Sequence, residues 1–324
     1  MKVARLHSIN DIRLHEEPIP IPGPNETLVR VKAVGLCGSD LHWFSESGIG
    51  DAQLSKPLVL GHEFAGVTEA GQRVAVDPAM PCGNCEPCLA GNPNLCLHIR
   101  FAGYGEDDGA LRDMLAWQTR HLMPLPDSLS EDDGAMLEPL GVALHAVDLG
   151  KVRPGMRVGV FGCGPIGLLV LQLARIAGAT DLFVSEPMPH RIEAAEHFGG
   201  KTWTNSVQVD VAFECAGENG AVEDAITAAK PGGRVILVGI PAEDHTSFTA
   251  STARRKGLTI NLSRRMKNTY PRAIRLVESG LVDVRSLVTH RFPLEKIAEA
   301  FGVAQRREGL KVMIEPESSA TQRR

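Results

Sequence analysis

Residues 157–167 read RVGVFGCGPIG. A short apolar run ends in a glycine-rich turn, and the turn opens an apolar segment of helical length, PIGLLVLQLARIAG. Gly162, Gly164 and Gly167 stand in the pattern G-x-G-x-x-G. The pattern is weak alone, but after a strand and before a helix it reads as a dinucleotide fingerprint. The first glycine makes the tight turn, the second lets the backbone approach a pyrophosphate, and the third lets helix and strand pack closely. The helix N-terminus then faces the phosphates. No G-x-x-x-x-G-K-[ST] run occurs, which argues against a nucleoside triphosphatase.

Downstream, short apolar runs (DLFVS, VDVAF, RVILVG) alternate with helix-length segments (HRIEAAEHFGG, AVEDAITAAK). This alternation predicts βαβ units and a doubly wound parallel sheet, an α/β fold. Glu186 closes the run DLFVSE, nineteen residues past Gly167. A carboxylate there accepts hydrogen bonds from both ribose hydroxyls and repels a 2′-phosphate, so NAD is expected over NADP. Two other readings stay open: Glu186 as an acidic residue favoured at a helix N-terminus, and Arg191 as a partner for a 2′-phosphate. Only about ten residues separate Gly200 from the strand at Val209, whereas a parallel crossover takes a dozen or more. One βα unit is expected to be truncated or irregular.

Upstream, residues 1 to about 140 are rich in Gly, Pro and short β-type runs such as TLVRVKAV, the pattern of a loop-rich β domain. The pattern is irregular again after about residue 264. With 324 residues, two domains are expected. The formal net charge of −5 and the lack of a dense basic run argue against nucleic acid or an anionic membrane as partner. Arg254, Arg255, Lys256, Arg264, Arg265 and Lys267 are read mostly as solvated surface. No apolar stretch of about 20 residues is present, so no membrane span is predicted. The opening MKVARLHSIN lacks an apolar signal core, so a cytoplasmic location is expected. The closing EPESSATQRR is expected to be disordered.

In a reducing compartment, the seven cysteines point to metal or catalysis rather than disulfides. Cys82, Cys85, Cys88 and Cys96 lie in PCGNCEPCLAGNPNLC, spaced C-x2-C-x2-C-x7-C. Four thiolates closing a tetrahedron suit a structural zinc. The ferredoxin run continues C-x3-C-P after the same start, and this one does not. A second constellation is looser: Cys37 in GLCGSD, His62 and Glu63 in LGHEFAG, and Glu138 in MLEPLG. Three protein ligands with one open position is the usual form of a catalytic zinc site. Taken singly, each residue also has a plain reading, a small buried thiol or a satisfied histidine. His145 is read as a helix packing residue and Cys163 as a filler of the glycine turn.

GLCGSDLH, GHE-x2-G, the four-cysteine segment, EPLGVALHA and GCGPIG occur in one order, and together they resemble the zinc-dependent medium-chain alcohol dehydrogenases. NTYPRAIRLVESGLVDVRSLVTHRFPLEKIAEAF resembles the polyol branch, the sorbitol, xylitol and L-idonate dehydrogenases. The resemblance covers nearly the whole chain. It implies an irregular, GroES-like β domain made of residues 1–143 and 264–324, with the structural zinc lobe at about 80–98 and a Rossmann domain of residues 144–263. The active site would lie between the two. It implies two zinc ions and NAD: Cys37, His62 and Glu63 on the catalytic zinc, Glu138 at the zinc-bound water or substrate, and Ser39 and His42 in a proton relay. Cofactor contacts are implied for Ile166, Glu186, Arg191, Val238, Gly239 and Ile240 and for residues 263–265, with Arg265 also lining the polyol pocket. The implied reaction is hydride transfer from a secondary alcohol of a polyol to NAD by a homo-oligomer, a tetramer or dimer. An L-threonine dehydrogenase or general alcohol dehydrogenase is the runner-up. Cys37, His62 and Glu63 argue against a zinc-free quinone reductase, and a non-enzymatic scaffold is disfavoured.

This chain departs from that pattern in four places. Trp43 follows His42 where sorbitol dehydrogenases carry tyrosine, and Met266 follows Arg265 where they carry tyrosine; both are expected in the substrate pocket. GVTEAGQRVAV lacks about ten residues of the usual loop, and the segment after Gly200 lacks a helix or strand.

Overall fold

The computed structural model describes residues 1–316; the tail expected to be disordered falls mostly outside them. The chain divides into two compact units, Met1–Glu138 with the chain from Tyr270 on, and Pro139–Thr269. The first dividing point falls in the opening turn of the helix Leu137–Gly150.

In the second unit, six parallel strands lie in the order Lys201–Thr202, Asp181–Ser185, Arg157–Phe161, Val209–Glu214, Ala229–Leu237, Thr259–Leu262. Strand order reverses beside Arg157–Phe161, and ligands of such sheets bind outside the carboxyl ends at that reversal. The turn 162–164 leaves that strand and runs into the helix Pro165–Ile176, with Gly164 as its N-cap. A side chain at Gly167 would collide with the carbonyl oxygen of Gly162, so the helix could not seat against the turn.

The irregular unit anticipated after Gly200 is now explicit. The edge strand Lys201–Thr202 passes to Val209–Glu214 through residues 203–208, with no helix. Three strand spacings are about 14 Å, and six extended residues reach about 20 Å. The link is therefore long enough, but it leaves a sheet face uncovered. Trp203 covers it: its ring stands edge-on to Phe161, 5.2 Å between centroids, and packs with Val207 on the cluster of Val209, Val222, Ala225 and Ile226. Its indole N–H donates to the Val207 carbonyl at 3.0 Å, so the half-buried aromatic packs with its donor satisfied.

The first unit is built on a sheet whose central path runs Leu122–Pro124, Arg73–Val76, Glu63–Thr68, Glu26–Gly35, Lys311–Glu315, Val288–Pro293. The C-terminal strand thus pairs beside Glu26–Gly35, with Met313 opposite Gly35 and Ile314 opposite Val34. On the other edge of Glu26–Gly35, Gly35 is opposite Glu63. The shortened loop is a tight turn, where Thr68 N–H donates to the Gln72 carbonyl and Gly71 N–H to the Thr68 carbonyl. The core joins Val29, Val31, Phe64, Trp43, Phe44 and Phe301. Among the described residues, no helix is long and apolar enough to cross a membrane.

Candidate metal centre and nucleotide turn

Cys37, His62 and Glu63 converge in the first unit: one donor atom from each lies within 4.8 Å of the others. Cys37 is the N-cap of the helix Gly38–Glu46, directly after the strand that ends at Gly35. His62 and Glu63 stand at the start of the neighbouring strand. Gly35 is required by the close approach: a side chain there would occupy the place of the Glu63 carboxylate. A thiol, an imidazole and a carboxylate with a fourth position to spare is a donor set that suits zinc.

Asp40, unmarked in the sequence reading, holds this centre together. It is fully buried and sits at the third position of the same helix. Its carboxylate accepts the Cys37 N–H at 2.9 Å and the Gly61 N–H at 3.1 Å, and lies 3.4 Å from His62 Nδ1. Burial works against its charge, but His62 and the two backbone donors hold the carboxyl below the usual range. Burial likewise opposes a charged His62, yet Asp40 and Cys37 raise the imidazole well above the histidine range. Occupying Nδ1 from behind leaves Nε2 to face the centre, as carboxylate partners of metal-bound histidines do. A signal did exist: Cys37-x-x-Asp40 has the spacing of a capping box. Asp40→Asn is expected to weaken metal binding at this centre by about 10- to 100-fold. Chelator competition checks this, and unchanged affinity would remove Asp40 from the support of His62.

Ser39 Oγ lies 3.3 Å from His62 Nε2. Half-buried His42 points away toward Glu46, Nδ1 to Oε1 3.1 Å. Glu138 is buried near His62 and Glu63, and burial pushes its carboxyl up to about 7. Lys311 was also missed. Its Nζ donates to both Glu63 oxygens, at 2.8 and 2.6 Å, and to the Leu36 carbonyl at 3.0 Å.

Trp43 is 2% exposed and stands edge-on to Tyr104 within the core of its unit. A flat apolar ring on the inner face of an amphipathic helix is buried for its area. Met266 is likewise buried, against Gly141.

Cys82, Cys85, Cys88 and Cys96 also offer four sulfurs within 4.8 Å of one another. Cys96 Sγ accepts the N–H of Cys82 at 3.2 Å and of His98 at 3.4 Å. Backbone N–H groups of Leu97 and Cys88 lower the Cys85 thiol to about 6. These donors favour thiolates, the form that binds metal.

In the second unit, the residues expected at the nucleotide gather at the carboxyl strand ends. Gly162, Gly164, Ile166 and Gly167 form the turn and first helical residues. Glu186 directly follows its strand; its carboxylate accepts the Cys163 N–H at 2.8 Å and the Met188 N–H at 3.1 Å. It is thus tied to the glycine turn while also lying just before the next helix. The Arg191 guanidinium sits beside Gly164 of the turn. Val238, Gly239 and Ile240 follow the strand Ala229–Leu237, Ile240 being 47% exposed. Half-buried Arg265 takes a left-handed backbone, φ 54°. Cys163 is buried, and burial with Glu186 pushes its thiol up to about 12, in keeping with a filler of the turn. His145 is buried on its helix. Glu214 is a further buried carboxylate, accepting the N–H groups of Ala216 and Gly217 at 2.7 and 2.6 Å. It fixes the turn after the strand next to Gly162.

Residues 23–127 match the alcohol dehydrogenase GroES-like domain, and residues 165–279 match the zinc-binding dehydrogenase domain. Sorbitol dehydrogenase of Bacillus subtilis is 35% identical over 343 positions, covering 98% of this chain and 97% of that protein. The aligned span exceeds this chain's 324 residues, so the relative carries residues that this chain lacks. Among solved structures, an alcohol dehydrogenase from Escherichia coli CFT073 in complex with NADH superposes with a TM-score of 0.89 at 27% identity, covering 97% of this chain and 99% of that one. A zinc-binding dehydrogenase from Sinorhizobium meliloti bound to NADP superposes with a TM-score of 0.88 at 30% identity, again over 97% and 99%.

Proposed function

The chain belongs to the zinc-dependent medium-chain alcohol dehydrogenases, in their polyol branch, and we propose that it oxidises a secondary alcohol of a polyol with NAD, at a zinc held by Cys37, His62 and Glu63. The observation that carries this reading is the convergence of those three donors, with Asp40 behind the histidine. A second zinc is assigned to Cys82, Cys85, Cys88 and Cys96, where four thiolates close the shell and leave no position for substrate.

The catalytic zinc supplies Lewis acidity, which lowers the pKa of a bound hydroxyl by several units, and NAD supplies the hydride acceptor. The protein's own groups do the rest. Cys37 and Glu63 bring the negative charge of the ligand set. Asp40 keeps the His62 proton on Nδ1. Ser39, against His62 Nε2, is placed to accept the hydroxyl proton, and His42, half-buried and paired with Glu46, to release it outward. Glu138, whose burial favours its neutral form, is suited to donate a hydrogen bond to a bound water or hydroxyl. Arg265 is assigned to the substrate hydroxyls. Gly162, Gly164, Ile166, Gly167, Arg191, Val238, Gly239 and Ile240 are assigned to the cofactor. We place the enzyme in the cytoplasm, as a homo-oligomer, a dimer or tetramer.

A screen of NADH formation over sorbitol, xylitol, galactitol, L-idonate, L-threonine and simple alcohols tests the substrate class. Polyols are expected to give the highest kcat/KM, whereas L-threonine giving it would overturn the polyol reading in favour of its runner-up.

NADH- and NADP-bound relatives both exist, so cofactor choice rests on Glu186. Its carboxylate would make charge-assisted hydrogen bonds of about 1.5 to 3 kcal/mol to ribose hydroxyls, and would meet a 2′-phosphate as a like charge. NAD is expected to be preferred by at least about tenfold, which takes roughly 1.4 kcal/mol. Glu186→Ser is expected to narrow that ratio in kcat/KM. A wild type that prefers NADP, or a variant with the same ratio, would show that Glu186 does not read the ribose.

A further inference from the structure

We infer that Lys311 is a positioning residue of the catalytic zinc centre: it sets the net charge there by sharing the Glu63 carboxylate with the metal. The inference rests on the zinc assignment above and extends it to a residue outside the ligand set. Lys311 Nζ is almost fully buried and donates to both oxygens of Glu63, itself 1% exposed, and to the Leu36 carbonyl. The residue comes from the far end of the chain, 248 positions from Glu63, and only the pairing of its strand beside Glu26–Gly35 brings it there. Its three donors are thus all met, two of them by one of the three proposed ligands.

A buried lysine is costly unless it is paired, and this one is paired with a group that zinc also needs. The charges can be added. Zn²⁺ with the Cys37 thiolate, the Glu63 carboxylate and neutral His62 sums to zero, and Lys311 raises the local sum to +1. Asp40 does not cancel this gain in the same way, because its carboxylate lies at His62 Nδ1, against two backbone N–H groups. A zero-charge centre polarises a bound hydroxyl less than a centre of charge +1. Lys311 therefore weakens the hold of Glu63 on zinc and leaves the metal a stronger Lewis acid. It also fixes the carboxylate at the sheet position that Gly35 keeps open.

The test is zinc release from the holoenzyme to a chelator, compared among wild type, Lys311→Met and Lys311→Arg, with zinc at the four-cysteine lobe as the internal reference. Removing the cation while keeping most of the apolar stem is expected to tighten zinc at the Cys37 centre by at least tenfold, with NAD-linked oxidation near neutral pH falling at least tenfold. Lys311→Arg should restore wild-type affinity, and the lobe zinc should be unmoved in all three. The sign is informative, since a purely structural role for Lys311 would loosen the metal when lost. Unchanged or weaker binding at that centre in Lys311→Met would overturn the inference. Starting from holoenzyme keeps the measurement possible even where the metal-free variant does not fold. Zinc content of the wild type and of Cys37→Ser separates this failure from failure of the zinc assignment, because a second zinc indifferent to Cys37 would remove the assignment itself.

Discussion

Cys37→Ser is expected to lower kcat for NAD reduction by at least about 1,000-fold, roughly 4 kcal/mol of barrier, while leaving the fold intact. The two halves of this expectation have separate causes. In the proposed zinc centre Cys37 is the soft, anionic ligand, and a serine hydroxyl does not ionise to replace it near neutral pH. Yet Cys37 is also the N-cap of the helix Gly38–Glu46, in extended backbone at φ −96° and ψ 158°. Serine is among the best residues at such a position, where its oxygen accepts a backbone N–H. The substitution thus removes the metal ligand and keeps, or improves, the helix cap. Circular dichroism and thermal melting report the fold; zinc content and steady-state rates report the site. Full activity in a folded variant would sink the catalytic role of Cys37.

Cys88→Ser should do the reverse, costing stability first. The lobe has little else to hold it. The short helix Glu86–Leu89 buries no residue, and Leu89, Leu95 and Leu97 are exposed, so apolar burial contributes little. In small zinc-binding peptides the metal contributes about 10 to 16 kcal/mol of folding free energy, and the lobe resembles such a peptide set into a larger unit. Loss of one thiolate should open residues 82–98 to protease at least about tenfold faster, because cleavage tracks the population of the open form. A variant that stays protected but loses only catalytic rate would mean that the roles of the two centres had been exchanged.

Much of this was legible because it is local. The glycine turn with the strand before it and the helix after it, the carboxylate at Glu186, and the four-cysteine run each occupy a few neighbouring residues. The three-donor centre was legible only in part: Cys37 and the pair His62 and Glu63 are 25 residues apart, and the sheet register that sets Gly35 opposite Glu63 is what joins them. Lys311 had no local signal, since a lysine in the strand KVMIE alternates like any edge residue until that strand is paired. Asp40 was visible in GLCGSD but marked by nothing local beyond its spacing from Cys37, whereas its burial against His62 makes it the support of that side chain. The irregular crossover was foreseen from its length alone; that a single indole covers the exposed sheet face was not.

The most direct test of the account is zinc content per chain, measured alongside NADH formation on a polyol such as sorbitol, before and after chelation and zinc return. The account predicts two zinc per chain, one at each cluster, activity that falls with loss of the zinc held by Cys37, His62 and Glu63, and recovery when that zinc is restored. Full activity in protein that holds zinc only at the four cysteines, or none at all, would contradict it.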